Sequence, residues 1–217
     1  MNIAKIAADF KVRVTFSPAD MSKPVAIREM IEKTLQTSGR LDILVNNAGI
    51  QHVAPLRDFP PEKWDAILAI DLSSAFHTTR VGASFDAREQ VGPHHQYRVG
   101  AWFGGVAIQV SVCRCQAWNC RADQSHGTGD CRTNVTCNAI CPGYVYTPLV
   151  EAQIDGQARA HNIPREKVIR DVLLAQQPNK RFASVEELGA LSVFLASDAA
   201  GSIMGIALPV DGSWTAY

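Results

Sequence analysis

The run Leu41 to Gln51, LDILVNNAGIQ, constrains this chain more than any other stretch. An apolar segment of strand length that stops on two asparagines, an alanine and a glycine reads as a buried parallel strand whose carboxyl end opens a ligand crevice. Parallel strands need long crossovers, usually helices, so the remainder has to supply alternating helices and strands. With 217 residues, 47% of them hydrophobic, there is enough chain for one α/β core. The formal net charge of zero gives no support to nucleic acid or an anionic membrane as the main partner. No apolar segment reaches bilayer-spanning length and Met1 to Phe10 lacks the apolar core of a signal peptide, so the expected location is cytoplasmic.

In chain order, Ile3, Ile6, Ala7 and Phe10 have helical spacing, and Lys11 to Ser17, KVRVTFS, alternates as a strand does. Asp20 follows. Ser22 is a candidate N-cap for a helix with Ile27, Met30, Ile31 and Leu35 on one face, and Gly39 ends it. With the Leu41 strand next, this is strand, helix, strand, for which a right-handed crossover is expected. Phe59, Pro60 and Pro61 start another helix, because proline is tolerated in a first turn, and Trp64, Ile67, Leu68, Leu72, Ala75 and Phe76 make its apolar face. Asp71 lies three and four residues from Leu68 and Ile67, which puts its carboxylate on the buried side or at the rim of that face.

From Val81 to about Cys131 no period of two or 3.6 persists. Periodicity returns with a strand in NVTCNAICPG from Asn134, then helical stretches around Val150 to Gln157 and Glu166 to Ala175. Ser184 and Glu187 make a capping box before Leu188, Leu191 and Leu195, and Ile206, Leu208 and Val210 give a last strand closed by Asp211 and Gly212. Cys113, Cys115, Cys120 and Cys131 crowd the aperiodic stretch together with His94, His95 and His126. Their C-x-C-x4-C spacing is looser than the paired short spacings of structural zinc sites, and no metal is assigned. The sequon at Asn134 to Thr136 is uninformative without a secretion signal.

Three motifs in order, NNAG at Asn46 to Gly49, PGYVYTP at Pro142 to Pro148 and the terminal VDGSW, resemble the short-chain dehydrogenase/reductase family. Within it, AGIQH, TPLVEAQI and the Trp214 ending look like the D-3-hydroxybutyrate dehydrogenases. The resemblance covers about residues 1 to 80 and 132 to 217 of a single partial domain. It implies a Rossmann-like, doubly wound parallel sheet with a dinucleotide across the carboxyl ends of the strands. It also implies NAD as cofactor, a small hydroxy or keto acid as substrate, and a homotetramer. Asp20 resembles the adenine-contacting acid, Asn47, Ala48 and Gly49 the segment under the adenosine ribose, and Pro142, Gly143, Val145 and Thr147 the segment holding the nicotinamide carboxamide. Gln51, Gln153 and Trp214 resemble substrate-side positions, where amides can donate to a carboxylate and an indole can exclude water. Taken singly, such a residue is more often a surface amide or a packing aromatic.

The chain departs from that family in its chemistry. The family uses a serine with a tyrosine and lysine in Y-x-x-x-K spacing, the lysine lowering the tyrosine pKa for proton exchange with the substrate oxygen. None of Tyr97, Tyr144, Tyr146 and Tyr217 is followed by lysine four residues on, the glycine-rich phosphate turn is absent, and Asp71 stands where the family carries a catalytic-tetrad asparagine. The genetic code suggests a reason. Writing Gly92 to Ala107 as degenerate codons and reading one base later permits G-R-I-I-N-I-A-S-A-H-G-L-V-A-S, a strand ending in a serine. Continuing from Ala107 to Gln124 permits P-F-K-S-A-Y-V-A-A-K-H-G-I-A-G-L-T, with the missing tyrosine and lysine at the family spacing. The stretch 81–131 therefore reads as out of frame. As written, the sheet is expected to lack its first two strands and to have its fifth scrambled, leaving the Leu41 strand without neighbours. Two functional classes stay open: an NAD-dependent oxidoreductase, and a catalytically dead remnant or partner-binding fragment.

Overall fold

A computed structural model describes residues 3–52, 54–88, 98–102 and 136–216. The cysteine and histidine cluster, Tyr97, Tyr217 and Asn134 of the sequon lie outside the described residues, as does most of the stretch 81–131. Among the described residues four parallel strands form one sheet in the order β1 (Ile43–Asn46), β2 (Arg98–Trp102), β3 (Thr136–Pro142), β4 (Ala207–Val210). The register pairs Ile43 with Arg98, Val99 with Cys137 and Ile140 with Leu208.

Helices cover both faces of this sheet, which is why β3 is buried from Thr136 to Ile140 and does not alternate. A first helix, α1 (Ile3–Phe10), precedes α2 (Pro24–Ser38), whose Ile31 and Leu35 pack on one face with Leu44 of β1 and Cys137 of β3, joined by Met30, Leu41 and Val81. Ile140 points the other way, to Leu188 and Leu195 of α7 (Val185–Leu195), with Ala200, Val145 and Val210 around them. A third cluster of Ile154, Val168 and Leu173 joins α5 (Pro148–His161), α6 (Arg165–Val168) and the π-helical turn Ile169–Leu173 beyond the end of β3. This is the doubly wound α/β arrangement that the resemblance implies, with an incomplete sheet.

Several local signals act as read. Gly39 ends α2 in the left-handed region at φ 74°, where its N–H reaches the Leu35 carbonyl at 2.7 Å. Ser184 Oγ accepts from Glu187 N at 3.0 Å while the Glu187 carboxylate accepts from Ser184 N at 2.8 Å. Ser184→Ala removes one half of this box, and a loss of about 0.5 to 2 kcal/mol in urea unfolding is expected. An unchanged midpoint would show that the cap is redundant with the packing of Leu188.

Four expectations are corrected. The Leu41 strand does not lose both neighbours, because β2 lies inside the aperiodic stretch and pairs with β1 along its whole length. Lys11 to Ser17 is not a strand; it finds no ladder, and Val12 and Phe16 are exposed. Ser22 does not cap α2, which starts from Lys23 with Pro24 in the first turn, and Ser22 donates instead to the Asp20 carboxylate. Trp64 and Phe76 are each 48% exposed. Their helix is not uniform: α3 (Pro61–Ile67) passes through a π-helical turn, Leu68–Ser73, into α4 (Ser74–Arg88). The wider turn rotates the apolar stripe, so that Ser74, Ala75 and Thr78 face inward.

Candidate active site

The carboxyl end of β1 is fixed from below. Asn46 Oδ1 accepts from the buried Thr78 hydroxyl at 2.6 Å and its Nδ2 donates to Thr79 Oγ1 at 3.4 Å, so the first asparagine of the NNAG run is tied to α4. Asn47, Ala48, Gly49 and Ile50 then emerge exposed. A β-carbon at Gly49 would meet nothing nearer than the Asp71 carboxylate, at 3.8 Å. That is ordinary van der Waals contact, so the Asp71 carboxylate lies directly against this side of the loop.

Asp71 sits on the π-helical turn and accepts from Ile50 N at 2.9 Å, holding the loop that carries Gln51. Its half-buried carboxyl titrates above the usual 3.8, chiefly because burial disfavours the charged form, with the Ile50 hydrogen bond opposing. The stability this group adds is therefore complete below pH 3.8 and lost as pH rises through the higher folded-state value. Asp71→Asn keeps an acceptor for Ile50 N and cannot ionise. Across about pH 3 to pH 7 the variant is expected to gain thermal stability relative to the parent. A pH-independent difference in Tm would contradict this.

Gln51 and Gln153 meet. Gln153 Nε2 on α5 donates to Gln51 Oε1 at 2.8 Å across 102 residues of sequence. Helix α5 is placed for this by Thr147, its N-cap, whose Oγ1 accepts from Val150 N at 3.4 Å, and by Ile154, the fully buried residue next to Gln153. Arg165 of α6 pairs with Glu151 at 3.7 Å and with Asp155, tying the two helices together on their exposed side.

The segment after β3 follows its own logic. Gly143 N donates to Val210 O at 3.1 Å, the last bond of the β3–β4 ladder, and Val145 forms a parallel bridge to Ala183. Trp214 stacks on Tyr144 with ring centroids 6.0 Å apart and planes 7° from parallel. Its loop is held by Asp211, whose carboxylate accepts from Ser213 N, Thr215 N and the Thr215 hydroxyl. The Tyr144 ring thus joins the segment after β3 to Trp214. Asp20 stands apart: it is exposed, and Ser22 Oγ at 2.7 Å and Ser22 N at 2.9 Å hold its carboxyl below the usual range. Sequence reading missed Tyr144 and Gln177, whose parts appear only in the packing.

Among the described residues no three His, Cys, Asp or Glu side chains gather as metal ligands do, and no helix is long and apolar enough to cross a membrane.

Residues 2–92 match the family model described as short chain dehydrogenase, and residues 130–215 the one described as Enoyl-(Acyl carrier protein) reductase. A D-beta-hydroxybutyrate dehydrogenase of Cupriavidus necator is 43% identical over 207 residues, covering 94% of this chain and 80% of its own. One from Rhizobium meliloti is 40% identical over 205 residues, covering 94% and 79%. The L-sorbose reductase of Gluconobacter frateurii, solved with NADPH and L-sorbose, superposes with a TM-score of 0.74 at 25% identity over 97% of this chain and 80% of that one. Sequence and fold lead to one assignment: the chain belongs to the short-chain dehydrogenase/reductase family of nicotinamide-dependent oxidoreductases.

Proposed function

We propose that the protein is an oxidoreductase of the kind that interconverts (R)-3-hydroxybutyrate and acetoacetate with NAD, and that the chain as written retains part of the binding surface of that site without its proton-transfer residues. The observation that carries the substrate reading is the Gln51–Gln153 hydrogen bond. Two amides from separate elements converge at one point, and each brings two N–H donors of which a carboxylate can take several. A neutral pair also fits a small monocarboxylate without leaving a buried cation when the site is empty. The identity of 43% and 40% to two D-beta-hydroxybutyrate dehydrogenases supports the same class.

When bound, the nicotinamide ring supplies or takes up the reducing equivalent. The chain's own residues do the rest. Asn47, Ala48 and Gly49 offer exposed backbone to the adenosine ribose, and Pro142, Gly143, Val145 and Thr147 form the seat of the carboxamide. Asp20 lies toward adenine, and Trp214, braced by Tyr144, shields the substrate side from water. Asp71 acts through Ile50 N–H to set the loop bearing Gln51. NAD in preference to NADP rests on the resemblance.

Proton transfer has no agent in the sequence as written, because no tyrosine is followed four residues on by lysine. We attribute this to a stretch near 81–131 read out of frame between two compensating indels. The two family matches stop at residue 92 and resume at residue 130, so most of that stretch lies between them. Resequencing the nucleotides on both strands tests the frame, and an unbroken frame with no neighbouring indel sinks that part. For the protein itself, NADH absorbance with (R)-3-hydroxybutyrate and NAD is expected to stay flat. Turnover by this polypeptide would overturn the missing-half reading. A second reading, a partner-binding remnant, draws on β1 being the edge of the sheet among the described residues, with Ile43 and Val45 about half exposed.

A further inference from the structure

We propose that Gln177 is the positioning residue for the segment Pro142–Thr147 and so sets where the nicotinamide end of the cofactor sits; this rests on the cofactor reading above. Gln177 is 1% exposed, with no charge and no apolar side chain to justify its burial. Both ends of its amide are used. Oε1 accepts from Tyr144 N at 2.9 Å and Nε2 donates to Arg181 O at 3.0 Å. The need for the first bond follows from the ladder. β4 ends at Val210, whose carbonyl takes the N–H of Gly143, so the next inward donor, Tyr144 N, has no strand acceptor. A buried peptide N–H without a partner is costly, and Gln177 supplies one.

The second bond makes the amide a rivet and not a cap. The loop that receives Nε2 at Arg181 also sends Ala183 N to the Tyr144 carbonyl at 3.0 Å. One side chain therefore sets the spacing between the segment leaving β3 and the loop running beside it. The fit is close: a β-carbon on Gly143 would stand 2.8 Å from Gln177 Oε1 and 3.0 Å from Asp211 Cα. Where the amide lies, Gly143 must lie, and Val145 and Thr147 follow within the same short segment. Tyr144, held at N and O, presents its ring to Trp214.

A purely structural residue would alter all ligand binding together or none. A residue that positions the nicotinamide seat alters binding of that half alone. The test compares NADH with ADP-ribose, which shares everything except the nicotinamide, by calorimetric titration of the full chain. Gln177→Met keeps the bulk and loses both bonds; Gln177→Glu keeps the acceptor and turns a carboxylate toward the Arg181 carbonyl. Both are expected to weaken NADH roughly tenfold, about 1.4 kcal/mol, and to leave ADP-ribose within about twofold of the parent. Ser184→Ala, a cap on a different element, is expected to leave the ratio of the two affinities as it is in the parent. Equal losses for both ligands, or no change in either, overturn the proposal.

Should neither variant fold, the parent still decides. The Tyr144 amide is expected to exchange more slowly with NADH bound than with ADP-ribose bound, and equal rates overturn the proposal. If the parent binds neither ligand, the cofactor reading itself fails. If it binds both and the Gln177 variants leave the ratio unchanged, this proposal fails alone.

Discussion

Gly143→Ala is expected to destabilise the protein by about 1 to 3 kcal/mol, the usual cost of forcing a methyl into a filled space. The added carbon would lie 2.8 Å from Gln177 Oε1 and 3.0 Å from Asp211 Cα. Neither neighbour can give way cheaply. Gln177 is buried and bonded at both ends, and Asp211 offers backbone in a turn that its own carboxylate already holds. If Gln177 swings aside, Tyr144 N loses its acceptor; if it stays, the β3–β4 ladder must open at Gly143. Urea unfolding checks the size. A change below about 0.5 kcal/mol would mean that this corner is softer than its hydrogen bonds indicate.

Ile154→Ala is expected to cost about 2 to 5 kcal/mol, the range for truncating a fully buried branched side chain. Ile154 has no exposed surface and packs with Val168 and Leu173, with Tyr144, Val150 and Phe182 against the same cluster. It is also the residue after Gln153, on the helix that brings that amide to Gln51. The truncation therefore has two expected readouts: a lower Tm, and weaker binding of a small carboxylate because α5 no longer holds Gln153 in place. Ile154→Val, which removes one methylene, is expected to cost about 0.5 to 1.5 kcal/mol and to spare binding. Equal stability for the two variants would contradict the packing described here.

The elements legible in the sequence were those whose cause is local. The Ile27, Ile31, Leu35 stripe, the Gly39 stop and the Ser184–Glu187 box all act within one turn or one helix, and the structure has each of them. The pairing of Gln51 with Gln153 is a different case: their 102-residue separation hides the contact from any periodicity, and only the family resemblance put them on one side of the site. Lys11 to Ser17 shows the reverse failure. Its alternation suits a strand, yet a strand needs a ladder, and Val12 and Phe16 remain in solvent. The Trp64 and Phe76 positions were misplaced because a spacing of three and four assumes one helical pitch, which the π-helical turn at Leu68–Ser73 breaks.

Gln177 was invisible for a physical reason. Gln176 and Gln177 stand before Pro178, a context that reads as polar loop, and nothing local tells which amide is buried. The answer depends on where the β3–β4 ladder ends and which N–H it leaves over. Strand β2 was unreadable for another reason, since its residues lie in a stretch with no sustained period.

On the proposed function, Gln51 and Gln153 form a seat for the carboxylate of a small hydroxy or keto acid. Acetoacetate titrated into the NADH-loaded protein, with bound NADH fluorescence as the signal, tests it most directly. A saturable change is expected for the parent, with loss of that response in both Gln51→Leu and Gln153→Leu and NADH affinity unaltered. A response of equal affinity in the parent and the two variants would contradict it.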